Sequence, residues 1–194
     1  LLEILIQYCD GDDSAERSLF NDYLNCVILA YQNQHYELIL NILVEEVVNN
    51  GSARRITTVL TRIPQLIENV QPVELGCDPL HLLKSLIEVA RRSDEESVQQ
   101  SLDGTLKSVM PFLDYHVRTS KEAQFLINSL MEVLLRNLQS DSSQIRRIAA
   151  SCVSNICMIS ELQMRNTIVK LKNQLDVLRN DNDVLDTNKF VGIC

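Results

Sequence analysis

Apolar residues from Ile145 onward fall at Ile145, Ile148, Ala149, Cys152, Val153 and Ile156. This i, i+3, i+4, i+7, i+8, i+11 series lays one broad stripe along a helix. A polar turn, SDSSQ, precedes it, and two arginines interrupt it after its first member. Three other stretches share the plan: GDDSAERSLFNDYLNCVILAY from Gly11, NGSARRITTVLTRIPQLIENV from Asn50 and SDEESVQQSLDGTLKSVMPFL from Ser93. Each opens on a polar turn and continues with an anchor: Ala15, Ala53, Val98 and Ile145 in the four copies. Two polar residues follow the anchor, and apolar positions then return at helical spacing.

The anchors lie 38 residues apart from Ala15 to Ala53, 45 from Ala53 to Val98 and 47 from Val98 to Ile145. A second apolar helix is predicted in each interval, from His35, Asp78 and Thr119, and LLEILIQYC at the start pairs with the first copy. A unit of two antiparallel helices recurring at roughly 40–47 residues is the period of HEAT-type solenoids. The fold class expected is all-α: a HEAT-type α-solenoid of about four helical hairpins over 1–160, with a C-terminal amphipathic helix and tail over 161–194. Asp78 is the expected N-cap before Pro79, and Thr119-Ser120 the expected start of the helix from Thr119, since short polar side chains accept the free N–H groups of a first turn. Pro64 lacks an N–H, which predicts a kink or break near Arg62-Ile63. Gln71 to Asp78, with Pro72 and Gly76, is the longest expected link.

Composition narrows the function classes. Gly (5) and Pro (4) are scarce among 194 residues, and apolar residues make up 45%, which suits helices around a real core. No apolar run reaches the roughly 18–20 residues of a membrane span. The chain starts at Leu1 without a basic, apolar leader and reads as part of a longer protein. A net charge of −8 opposes nucleic-acid binding, and the pairs Arg54-Arg55, Arg91-Arg92 and Arg146-Arg147 form no stripe; they read as solvated or ladder-forming arginines. The six cysteines show no CxxC spacing and read as reduced thiols, with Cys26, Cys152 and Cys157 as small hydrophobes in apolar runs. Cys77 and His81 supply two ligands at most, too few for zinc. No catalytic grouping, metal site or cofactor is expected, so the chain reads as a non-enzyme.

The stretches YCDGDDSAERSLFNDYLN (8–25), NGSARR (50–55), RRSDEESVQQSL (91–102) and IRRIAASCVSNIC (145–157), in this order and spacing, resemble the amino-terminal HEAT region of the huntingtin family over about 1–160. That resemblance implies a large scaffold, cytoplasmic and partly nuclear, that holds protein partners and serves vesicle transport along microtubules. HEAT repeats in general pair a turn Asp with a B-helix Arg or Lys. Asp141 with Arg146, and Asp12 or Asp13 with Arg17, fit that role, while Gln99 interrupts the series.

Solenoids work by their surfaces. The candidate partner-binding residues, on the B helices, are Arg54, Arg55, Thr58, Gln99, Gln100, Asp103, Arg146 and Arg147. After residue 160 the family pattern is lost. Met164, Ile168, Leu171, Leu175, Leu178 and Leu185 take heptad positions, with Asn182 in the remaining one. Three readings stay open for this tail: a capping helix on the last repeat, a coiled coil for weak self-association or partner binding through Ile168, Leu171, Leu175 and Leu178, or disorder.

Overall fold

The computed structural model describes residues 1–49, 51–92, 94–158 and 161–180, with side chains in the last helix described over 164–173. Eight α-helices and no strand occur among the described residues: α1 (Leu2–Tyr8), α2 (Ser14–Val48), α3 (Ala53–Val70), α4 (Pro79–Arg91), α5 (Glu96–Thr119), α6 (Lys121–Asn137), α7 (Ser143–Cys157) and α8 (Glu161–Asn180).

Helix α2 holds two repeat elements. His35 has φ −132° and ψ 30°, so the helix kinks where the sequence predicts a new A helix, but no loop intervenes. The 14–34 half is the first B helix and pairs with α1; the 36–48 half is the second A helix. The hairpins are then α1 with 14–34, 36–48 with α3, α4 with α5, and α6 with α7. They stack in two layers. Helix α3 packs on α5 and α5 on α7, while α4 packs on both α2 and α6. Arg62 of α3 donates to Asn21 in the first half of α2 (3.3 Å), and His81 of α4 meets Glu45 in its second half (3.1 Å). This is the HEAT-type arrangement expected from the repeat period.

The apolar stripes drive the stacking. Ile56, Val59, Leu60, Ile63 and Leu66 of α3, Val98, Leu102, Leu106 and Val109 of α5, and Ile145, Cys152 and Ile156 of α7 are buried in one layer. Each fully buried Leu or Ile contributes about 1.5–3 kcal/mol against the entropy of ordering the chain. The caps fall on short polar residues. Asp13, Ser52, Asp78, Ser120 and Ser142 each accept a backbone N–H from the first turn of α2, α3, α4, α6 and α7, so the Asp78–Pro79 and Ser120 starts stand as expected. Ala15 is exposed, so this anchor is not a core position, while Ala53 is half-buried against the core. Aligned instead on the caps Asp13, Ser52, Glu95 and Ser142, the repeats share a common frame.

Pro64 does not break α3, which runs unbroken from Ala53 to Val70. Proline at 64 cannot donate to the carbonyl of Leu60. The buried Thr105 hydroxyl of α5 lies 2.9 Å from that carbonyl and also 2.9 Å from the Ser101 carbonyl of its own helix. The freed acceptor is thus met by a neighbouring repeat.

Candidate interaction surface

The turns that open the B helices form one edge of the stack, where main-chain carbonyls are left over. Arg17 and Arg146, each four residues beyond its cap, reach back to them. Arg17 donates to the carbonyls of Gly11 (2.8 Å) and Asp12 (2.6 Å). Arg146 donates to those of Ser140 (2.7 Å) and Asp141 (2.9 Å). Gln99 takes the same position in α5 and donates to Val89 (2.9 Å) and Arg92 (3.0 Å), with Ala90 at 3.4 Å. The acceptors are carbonyls and not the carboxylates of Asp12, Asp13 or Asp141, which corrects the expected ion pairs.

Links between turns continue along this edge. Ser52 donates to Asp10 of the preceding turn. Arg92 donates to the Gly51 carbonyl (2.9 Å), and Asn137 to the Ala90 carbonyl (2.9 Å). Gln99 therefore does not interrupt the ladder; it carries it with an amide in place of a guanidinium.

These bonds decide where the candidate residues lie. Gln99 is 1% exposed and Arg146 7%, so both point inward, away from any partner. Arg55 is half-buried and pairs with the buried Glu46. Asp103 accepts from Ser151 Oγ (2.9 Å) and Asn155 Nδ2 (2.8 Å), clamping α5 to α7. Thr58 is half-buried. Arg54, Gln100 and Arg147 are exposed on α3, α5 and α7, with Arg147 donating to Gln144 (2.7 Å).

The thiols are quiet. Burial pushes Cys77 up to about 12, with help from Asp78. Burial, then Asp103, raises Cys152, and burial raises Cys9. A thiol held protonated is a poor nucleophile and metal ligand. Cys26, read as an apolar helix residue, is exposed instead. No group of three or more His, Cys, Asp or Glu is placed to hold a metal among the described residues. Nor is any helix there long and apolar enough to cross a membrane.

Helix α8 packs on α7, and of the expected seam Leu171 faces the core while Met164 and Ile168 do not. Cys157 and Thr167 meet at 3.5 Å, Lys170 pairs with Glu132 of α6 (3.2 Å), and Leu171 is partly buried against the core. Met164 and Ile168 stay 43% and 57% exposed. The side chains of Leu175 and Leu178 lie outside the described residues, as do Asn182 and Leu185.

At the opposite edge, a groove of about 970 Å³ opens between the 71–78 connection, the second half of α2 and the C-terminal part of α5. Sequence reasoning marked the connection only as a link.

Two layers of stacked antiparallel hairpins, tied along one edge by side chains that meet carbonyls, define a HEAT-repeat protein. The chain belongs to the huntingtin N-terminal HEAT 1 family, whose model matches residues 5–162. It is similar to huntingtin from Takifugu rubripes, with 27% identity over 159 residues that cover 82% of this chain. The chain spans 5% of the length of that relative.

Proposed function

We propose that the chain is a protein–protein interaction module of a huntingtin-like scaffold, acting in vesicle and microtubule-based transport in the cytoplasm and in part in the nucleus. Arg54, Gln100 and Arg147 provide a partner-facing row on the B helices, and Thr58 flanks it. The exposure of these three polar side chains on successive stacked helices carries the reading, because Gln99, Asp103 and Arg146 beside them are engaged inside the stack. Residues 1–160 act as the solenoid and 161–194 as its cap and tail. The test is capture of partners by the intact chain, followed by crosslink mapping. Crosslinks on α3, α5 and α7 that vanish in the Arg54→Ala/Gln100→Ala/Arg147→Ala variant are expected; crosslinks that ignore these helices overturn the assignment.

A second reading is favoured by the exposure of Met164 and Ile168. Here the module is a generic HEAT adaptor that self-associates or grips a helix through α8. Sedimentation of the whole chain against one ending at residue 160 distinguishes the two. An unchanged association state removes the self-associating form of this second reading.

A further inference from the structure

We propose that the groove at the 71–78 edge is a docking site for an extended peptide that alternates basic and apolar side chains. This deepens the scaffold reading and rests on it, but uses a surface other than the α3, α5 and α7 row.

The groove is shaped before any partner arrives. Leu75, in the middle of the connection, is buried and ties it to the core. Gln71 closes α3 in the left-handed region (φ 49°), and Gly76 has φ 76°. A Cβ at Gly76 would lie 3.0 Å from the Tyr36 ring and 2.9 Å from Glu37 Cγ, so this backbone sits flush on α2. Asn41 donates to the Gly76 carbonyl (3.4 Å). A wall fixed in this way needs little further ordering on binding.

Its lining combines two features. Val73 is 98% exposed and Tyr115 70%, and both belong to the groove together with the half-buried Phe112. Tyr115 stands edge-on to His116, with ring centroids 5.6 Å apart. Among these apolar groups lie the carboxylates of Glu37, Glu74 and Asp78, and none of the described lining residues is a lysine or arginine. Asp78 is engaged as the α4 cap, whereas Glu37 and Glu74 have no ion pair among the described residues. A basic side chain flanked by apolar ones complements both features. In an extended peptide, alternate residues point to opposite sides, which lets one set meet the carboxylates and the other meet Val73, Phe112 and Tyr115.

The test uses a fluorescein-labelled, end-capped octapeptide of alternating leucine and lysine and the whole chain, read by fluorescence anisotropy at near-physiological salt. Saturable binding is expected. Glu37→Gln/Glu74→Gln should weaken it about five- to tenfold, in line with two partly exposed ion pairs. Tyr115→Ala should weaken it comparably. Glu3→Gln/Glu16→Gln, the same charge change on exposed sites of α1 and α2, should stay within about twofold. All three sets alter exposed residues, and unchanged helical signal and melting are the check on folding. Equal losses from the two glutamine pairs overturn the proposal, as does equally tight binding when serine replaces leucine, since either outcome reduces it to attraction by net charge. A chain that captures partners through α3, α5 and α7 but fails to bind the peptide keeps the scaffold reading and loses the groove.

Discussion

The two edges of the stack solve different problems. Along the turn edge, α3 has the buried Ile56 four residues past its cap, but in the other three hairpins the carbonyls at the end of one helix are met by a side chain at that place in the next. Its identity changes, from Arg17 to Gln99 to Arg146, but its task does not. Along the opposite edge the connections have nothing in common. One is a kink at His35, one is the eight residues 71–78, and one is the single residue Ser120. Where geometry repeats, side chains are consumed by the fold; where it varies, a groove with idle carboxylates opens. The idle edge is therefore a second place to look for a partner, beside the exposed row on α3, α5 and α7.

The comparison breaks first if the stack itself is wrong. Val98 is 0% exposed and Ile145 3%, each in the α3, α5, α7 layer. Val98→Asp or Ile145→Asp buries a charge and should cost on the order of 4 kcal/mol or more, enough to unfold a marginal domain. Thermal melts followed by circular dichroism should show loss of the cooperative transition.

The turn edge is sharpened by a neighbouring pair. Arg146→Ala strips two carbonyls of a charged donor and should cost about 2–3 kcal/mol. Arg147→Ala, one residue on and exposed, should stay within about 0.5 kcal/mol. Equal effects in denaturant titrations would mean that the inward and outward arginines are not distinguished as described. The same rule applies inside the stack. Thr105→Val should cost about 1–2 kcal/mol by leaving the Leu60 carbonyl unmet. In a Pro64→Ala background the new N–H can serve that carbonyl, so the penalty of Thr105→Val should shrink. Additive penalties in this double-mutant cycle would disconnect Thr105 from the proline.

What the sequence reveals follows the range of the interactions involved. The helices, the Asp78–Pro79 start and the Ser120 cap depend on a few adjacent residues and are legible. Pro64 reads as a break because the donor that satisfies its orphaned carbonyl lies 45 positions away. Gln99 reads as a surface residue because an isolated glutamine carries no sign of burial. Its place level with Arg17 and Arg146 is legible, but not that an amide there takes over the guanidinium's carbonyl partners. His35 marks a boundary correctly, yet nothing around it shows that the helix bends there without a loop. The groove needs three separated segments to meet, so only its longest wall is visible in the sequence.

The smallest effects concern the thiols, and they probe the connection edge alone. Cys77 sits in the 71–78 connection with its thiol pushed up to about 12 by burial and by Asp78. Its folded value lies above the ordinary 9.0, so its contribution to stability is complete below about pH 9 and is lost as pH rises toward 12. Cys77→Ala should therefore flatten part of the alkaline decline in stability between those limits, while changing little at neutral pH beyond a small packing loss. Native alkylation provides the matching kinetic view: exposed Cys26 should react first, and Cys77 and Cys152 only as the chain opens. If Cys77 reacts as fast as Cys26 at neutral pH, the connection is not packed against α2, and the preformed wall of the groove goes with it.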